Sequence, residues 1–357
     1  MKQRTKILIV LLISFLFLLP STSFGIYKKT DFYLEDLYKF STTAGLFKKD
    51  NAFEFVKQLT QDDFEGRKAG TEGCEKAAKW IADQFKNWNL KPYGDSYFQS
   101  FTAGRFLRPT QNVIGYIPAS NPNIKESIVF GGHYDHLGKE PQTGKIFQGA
   151  NDNASGTAVM MESARVLSQS ILSSQINIIF IAFSAEETGL LGSTHYVNHP
   201  LFPIKQIKAM FNFDMVGTGT GQWEVGTNFD KTKYLNQIMI NSFKYFKGYY
   251  RLESWLSRPV SDHYPFYERQ VPTLCMLKDN PTNIGGYHTT KDTLETIDPR
   301  NLEACGKISL LTALYIGKGF VITAFEIAGY LQNLPVDPYC DIEKKYRIGF
   351  YYLFVYK

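Results

Sequence analysis

An almost continuous apolar run, Ile176–Phe183, is the feature that most constrains the fold of this chain. A run without polar alternation is typical of a strand buried on both faces of a largely parallel sheet. Short β-branched or apolar runs at Asn112–Ile117, Ser127–Phe130, Ala209–Phe213 and Val271–Leu277 predict further strands of that sheet.

Segments with apolar residues at helical spacing separate these strands. The predicted helices are Ala52–Leu59, Cys74–Trp88, Ala154–Leu172, Gly189–Val197, Tyr234–Phe246 and Asn301–Leu331. Parallel strands need long crossover connections, which are usually helices. The alternation therefore predicts an α/β fold, a three-layer α/β/α arrangement whose mixed, mostly parallel central sheet carries helices on both faces.

The start of the chain differs in composition from the rest. Three basic residues precede the apolar run Ile7–Leu19, and a stretch of small residues follows up to Gly25. Residues 1–25 therefore predict a signal peptide and a secreted or periplasmic protein. The run is shorter than the roughly 20 residues of a membrane span, so we expect no stable span after cleavage, with an uncleaved amino-terminal anchor as the alternative.

The remaining sequence predicts one main domain. Residues 26–50 form a leader segment, 51–332 the main domain and 333–357 an aromatic-rich tail. The formal charge of +5 is small and its basic residues are scattered, which gives no basis for nucleic acid binding.

The four cysteines, Cys74, Cys275, Cys305 and Cys340, form no CxxC pair, so a thiolate metal site is not expected. The sequence does not choose among their three possible disulfide pairings. Cys275 lies in an apolar run, where we expect a buried small hydrophobic residue.

Acidic and histidine residues come at the ends of three predicted strands. His133 closely follows the strand at Ser127, Glu186 and Glu187 follow Phe183, and Asp214 follows Phe213 directly. In open α/β sheets, ligands bind outside the carboxyl ends of the strands. The sequence therefore predicts a functional site at this rim of the sheet.

These residue types are zinc ligands, because zinc accepts imidazole nitrogen and carboxylate oxygen. A pair of zinc ions about 3.5–4 Å apart requires a carboxylate that reaches both. Asp152 suits this role, since it lies on a tight loop just before a predicted helix. Glu186 and Glu187 are adjacent and point in different directions on an extended segment, so one can bind metal while the other contacts a water molecule.

Six motifs occur in the order found in one family of enzymes. They are Gly131–Gly138, Gly149–Gly156, Ser184–Ser193, Asn212–Gly217, Ser261–Phe266 and Tyr287–Thr293. In this ordered set the chain resembles the M28 family of zinc peptidases, which includes secreted bacterial aminopeptidases. The resemblance covers roughly residues 50–330 and identifies the main domain, 51–332, as a zinc peptidase domain.

The resemblance implies a site with two zinc ions per chain. His133 and Asp214 bind one ion, Glu187 and His288 bind the other, and Asp152 bridges them. In this family the peptide bond that follows the bridging aspartate is often cis.

The resemblance also implies roles around the metal. Glu186 is the general base, and Asp135 orients His133 through its second ring nitrogen. The substrate pocket draws on Asp262, His263, Tyr264 and Tyr287, with the two tyrosines as candidate donors to the oxyanion. Asp262 could alternatively cap the short helix that follows it, and His136 is expected to pack beneath the site.

The implied function is that of an exported di-zinc aminopeptidase acting on the amino termini of peptides or proteins. A competing function is that of glutaminyl cyclase, a single-zinc acyltransferase with the same fold. Known cyclases carry Trp before the last histidine, where this chain has Tyr287. A carboxypeptidase or dipeptidase and an inactive binding module also compete, although the complete ligand set with Glu186 argues against the inactive module.

Overall fold

The computed structural model describes residues 38–102, 109–170, 175–220, 223–227, 233–246, 250–253, 258–278 and 286–317. The expected signal peptide, the first part of the leader segment and the aromatic-rich tail lie outside these ranges. Residues 38–45 of the leader segment are helical. Within the described ranges, no helix combines the length and apolar character that a membrane span requires.

Helices and strands alternate along the described chain, as the sequence predicts. After the helical segment at 38–45, helices α1 to α7 span Lys49–Leu59, Glu72–Asn87, Gly156–Ser168, Leu191–Asn198, Lys233–Tyr245, His263–Glu268 and Pro299–Gly317. Strands β1 to β9 span Lys91–Pro92, Phe98–Thr102, Pro109–Ile117, Ser127–His133, Asn177–Phe183, Ile207–Phe213, Trp223–Thr227, Tyr250–Glu253 and Thr273–Lys278.

The nine strands within the described ranges belong to one mixed sheet. Its order is β1-β3-β5-β4-β6-β9-β7-β8, and β2 pairs with β3. The four central strands β5, β4, β6 and β9 run parallel, while β3 and β7 pair antiparallel with them on either side. The predicted mixed sheet with a parallel centre is therefore confirmed.

Both faces of the sheet are buried, which explains the apolar run in β5, where every residue is buried. On one face, the Phe130 ring stacks on Phe211 with centroids 5.1 Å apart, and helices α3 and α7 pack over the strands. On the other face, Ile179 joins a cluster with Tyr196 of α4 and Phe266 of α6. The predicted three-layer arrangement is therefore confirmed.

The described helices and strands differ from the predicted ones at several places. The helix expected from Ala154 begins at Gly156, directly after the irregular segment Ala150–Ser155, in which Asp152 and Asn153 have non-helical backbone angles. That helix ends at Ser168 rather than Leu172. Strands β2, β7 and β8 have no clear apolar period and were not predicted. The second part of the long helix expected to reach Leu331 lies outside the described residues.

The cysteine side chains are buried where the structure describes them. Cys74, Cys275 and Cys305 are free thiols, and Cys340 lies outside the described ranges. Cys275 is 1% exposed in β9, so its predicted role as a buried small residue is confirmed. Burial raises the pKa of its thiol well above the usual value.

One buried cation joins the segments that approach the rim of the sheet. The guanidinium of Arg67 donates to the main-chain oxygens of Leu59, Tyr134, Gln148 and Gly149, which belong to α1 and two different loops. Arg67 is fully buried, and burial lowers the pKa of its guanidinium to about 10. Its planar fork supplies donors to carbonyl groups that would otherwise be buried without a partner.

We expect Arg67→Met to lower the free energy of unfolding by more than about 3 kcal/mol, because several buried carbonyls lose their donor. Urea unfolding measures this change. Arg67→Lys keeps the charge but not the fork, so its loss should be intermediate. Arg300→Met is the control, since the Arg300 side chain is 81% exposed. Equal effects of Arg67→Met and Arg300→Met would contradict the role given to Arg67.

Candidate metal centre

Three parallel strands deliver the predicted residues to one rim of the sheet. His133 is the last residue of β4, Asp214 directly follows β6, and Glu186 and Glu187 follow β5 after two residues. These strands are neighbours in the order β5-β4-β6. The predicted position of the site at the carboxyl ends of the strands therefore agrees with the structure.

The loop that carries Asp152 is fixed from two sides. The carboxylate of Asp292 accepts hydrogen bonds from the main-chain N–H groups of Asn151, at 2.7 Å, and Asp152, at 2.9 Å. Asn153 donates to the Phe213 carbonyl at 2.8 Å, which ties the loop to the end of β6. The Asp152–Asn153 peptide bond is cis, as the resemblance implies.

The first group of donor atoms surrounds His133. Its Nε2 lies 3.4 Å from Oδ1 of Asp152 and 3.6 Å from Oδ1 of Asp214. Donor atoms about 2.0–2.2 Å from a tetrahedral zinc ion are about 3.3–3.5 Å from each other. Each of the two carboxylates therefore lies at about the spacing of a zinc ligand from Nε2 of His133.

The second group of donor atoms surrounds His288. Its Nε2 lies 3.2 Å from Oδ2 of Asp152 and 3.0 Å from Oε2 of Glu187. The two carboxylate oxygens of Asp152 therefore face different histidines, His133 and His288. This is the arrangement that a bridging carboxylate requires.

Charge and burial at the rim favour a cation. Oδ1 of Asp214 is buried and has no hydrogen-bond partner within the described structure. Burial alone would lower the pKa of His133, but the carboxylates of Glu186, Asp214 and Asp152 raise it well above the usual value. Donor atoms of His133, Asp152 and Glu187 lie within 4.8 Å of one another, as do those of His133, Glu186 and Asp214. The donor set thus suits a metal ion such as zinc.

Glu186 has the surroundings of a proton acceptor. One of its oxygens lies 3.9 Å from Nε2 of His133, and its main-chain N–H donates to the carboxylate of Asp135 at 3.1 Å. Burial raises the pKa of Glu186 well above its usual value, and the charges of Asp262 and Asp214 add to this rise. A carboxylate with a raised pKa is a better base near neutral pH.

Asp135 contacts His133 differently from the predicted arrangement. Nδ1 of His133 lies 3.2 Å from the main-chain oxygen of Asp135, within hydrogen-bond distance, and 3.8 Å from its carboxylate. The Asp135 carboxylate instead binds the main chain of Glu186. Asp135 thereby contacts both residues and reaches His133 through its main-chain oxygen, while its role in orienting His133 stays a prediction.

His136 has a more specific contact than the predicted packing. Its Nδ1 lies 2.8 Å from Oε1 of Glu187, and both side chains are largely buried. Burial alone would raise the pKa of Glu187, but hydrogen bonds with His136 and His288 hold it well below the usual value. The repeated histidine in the His133–His136 motif was the only sequence signal for this contact.

The predicted pocket residues have different surroundings. Asp262 and His263 are fully buried, and Asp262 makes no side-chain capping bond to α6, so the capping role considered for it is wrong. Burial raises the pKa of the Asp262 carboxyl to about 7. The Glu268 carboxylate of the same helix raises the pKa of the Tyr264 hydroxyl. Tyr287 is 44% exposed and stacks on His288 with ring centroids 3.9 Å apart.

Comparison with known proteins agrees with this fold and this rim. The model of peptidase family M28 matches residues 112–313, which is more than half of the chain and includes each proposed metal ligand. The chain therefore belongs to peptidase family M28, and the resemblance seen in its motifs is confirmed.

Individual relatives are similar over part of their length. The chain is 35% identical over 209 residues to aminopeptidase YwaD of Bacillus subtilis, which covers 56% of this chain and 43% of that protein. The Legionella pneumophila LapA aminopeptidase shares the fold, with a TM-score of 0.65 and 23% identity over 78% of this chain and 74% of that one.

A glutaminyl cyclase shares the fold to a similar degree. The enzyme of Porphyromonas gingivalis has a TM-score of 0.62 and 21% identity, covering 75% of this chain and 98% of that one. The fold alone therefore does not separate the peptidase from the cyclase.

We expect His136→Gln to weaken metal binding by about 10- to 100-fold, because the oxygen of Glu187 that faces His136 loses the group that fixes it. Chelator competition with zinc measures the affinity. His199→Gln is the matched control, since His199 stacks on His195 outside this site. Unchanged zinc affinity in His136→Gln would show that the contact with Glu187 is dispensable.

Proposed function

We propose that this protein is an exported di-zinc aminopeptidase. The observation that carries the proposal is the position of Asp152, whose two oxygens face two separate donor groups. His133 and Asp214 would hold one ion, and Glu187 and His288 the other. The relatives named as aminopeptidases support the activity, and residues 1–25 support export.

Two zinc ions, when bound, would lower the pKa of a bound water molecule and polarise the scissile carbonyl. At a single zinc site the pKa of such a water is about 7. Glu186 accepts the proton of the attacking water and later donates it to the leaving amine. Its main-chain N–H donates to the carboxylate of Asp135, which fixes the backbone at Glu186. The peptide bond is cleaved, and the amino-terminal residue leaves with a new carboxylate.

The charge of the rim supports an aminopeptidase over a carboxypeptidase. The carboxylates of Glu186 and Asp214 lie 3.9 Å and 3.6 Å from Nε2 of His133, and their side chains are 13% and 12% exposed. Partly accessible carboxylates attract the ammonium group of a free amino terminus. We therefore infer that the substrate places its amino end at this rim.

We expect the chain from residue 26 onward, loaded with zinc, to release the first residue of Leu- or Lys-terminal peptides but not of acetylated peptides. Glu186→Gln should reduce kcat by at least about 100-fold, because it removes the proton acceptor. Amino acid release measures the activity, and Gln-terminal peptides test for cyclase activity. Pyroglutamate formation without hydrolysis would assign the protein to the cyclases, and cleavage of acetylated peptides would indicate another type of peptidase.

We expect two zinc ions per chain by elemental analysis, and chelation should lower Tm by roughly 5 °C or more, because zinc binds the folded state and offsets carboxylate repulsion. Asp152→Asn should lose affinity at both positions, whereas Asp214→Asn should affect mainly one. A single zinc ion in the wild-type protein would contradict the di-zinc proposal.

A further inference from the structure

A cavity of about 260 Å3 is lined by residues that neighbour the proposed metal ligands in sequence. Its lining includes Asn151, Met215, Thr218, Tyr287, Lys291 and Asp292. Asn151, Met215 and Tyr287 are each adjacent in sequence to a proposed zinc ligand. A peptide held at the metal centre therefore has this cavity, here named the Lys291 cavity, next to it.

Two polar atoms of the lining residues, Nδ2 of Asn151 and Oγ1 of Thr218, lack hydrogen-bond partners in the described structure. The side-chain oxygen of Asn151 accepts hydrogen bonds from the main-chain N–H groups of Gly217, at 2.9 Å, and Thr218, at 3.1 Å. These bonds fix the orientation of the side-chain amide and therefore the position of its nitrogen, Nδ2. That Nδ2 is buried without an acceptor in the described structure, and so is Oγ1 of Thr218. Because a buried N–H needs an acceptor, the cavity suits a ligand with oxygen acceptors.

The charge of the cavity comes from one lysine. Among the described residues that line the cavity, Lys291 is the only basic one. It is exposed and forms no ion pair within the described chain. Its main-chain N–H donates to Oγ1 of Thr289 in the turn that also holds His288. The nearby carboxylate of Asp292 is already bound by two main-chain N–H groups. The ammonium group is therefore available to an anion.

We propose that the Lys291 cavity binds a carboxylate of the substrate. Lys291 supplies the charge, Asn151 and Thr218 supply hydrogen bonds, and Met215 and Tyr287 contact the adjoining carbon chain. This inference rests on the proposed function and gives its substrate class: peptides with a carboxylate near the scissile bond. The carboxylate comes either from the free carboxyl end of a short peptide or from an acidic side chain.

Three matched pairs of peptides test the proposal and separate the two sources. Leu-Gly-Gly is compared with its carboxyl-terminal amide. Leu-Glu-Gly amide is compared with Leu-Gln-Gly amide, and Glu-Gly-Gly amide with Met-Gly-Gly amide. For each pair, the ratio of kcat/KM between the charged and the neutral peptide is measured in the wild-type enzyme, in Lys291→Met and in Lys291→Glu. Lys79→Met, an exposed lysine on α2 paired with Glu75, controls for net charge.

We expect the wild-type enzyme to favour the charged member of at least one pair by about three- to tenfold. Lys291→Met should bring that ratio close to one, Lys291→Glu should reverse it, and Lys79→Met should leave it unchanged. The pair that responds identifies the source of the carboxylate. If substitution of Lys291 changes the kcat/KM ratio in none of the pairs, the proposal is overturned. Hydrolysis of the peptides would still support the aminopeptidase function in that case.

If no peptide is hydrolysed, the proposed aminopeptidase function is contradicted. Measuring peptide binding directly still tests the carboxylate site in that case. The same pairs are titrated by calorimetry into Glu186→Gln and into Glu186→Gln combined with Lys291→Met. Tighter binding of the charged peptide that depends on Lys291 supports the carboxylate site. Equal binding in both proteins overturns it.

Discussion

Repulsion among buried carboxylates is the constraint on which the rim of this sheet depends. Like charges close together in a poorly solvated site disfavour one another's ionisation, so each carboxylate needs its own compensation. Asp292 obtains it from two main-chain N–H groups, and Glu187 from two imidazoles. Asp214 keeps a buried oxygen without a hydrogen bond in the described structure, close to His133. The remaining negative charge is thus concentrated among the donor atoms that zinc would neutralise.

The donor atoms are also fixed in place by contacts behind them. The second nitrogen of His133 contacts the carbonyl of Asp135, and the second oxygen of Glu187 contacts His136. Arg67 binds the carbonyl of the residue that follows His133 and those of the residues that precede the Asp152 loop. Because ligands held in this way need little rearrangement, metal binding costs little conformational entropy.

The sequence predicted the central strands and the residues at their ends, because Ile176–Phe183 has an unambiguous pattern and the rim follows from strand direction. The metal-binding roles of those residues and the domain boundaries stay predictions. The contacts of Arg67 with main-chain carbonyls and of His136 with Glu187 could not be predicted in the same way. Arg67 binds main-chain carbonyls, which every residue possesses, so its partners leave no pattern in the sequence. Strand β7 pairs with β9, but its sequence contains Glu224 and Gly226 and so lacks the apolar pattern that would predict a strand.

The two histidines divide the site into a buried and an accessible half. The side chain of His133 is 1% exposed at the end of a central strand, whereas that of His288 is 36% exposed on a turn. Lys291 and Tyr287 belong to the same turn as His288 and line the adjoining cavity. The accessible half of the proposed site therefore lies on one short turn, while the sheet holds His133 and the buried half. Substitutions exposed on this turn can change substrate preference without disturbing the core that supports His133.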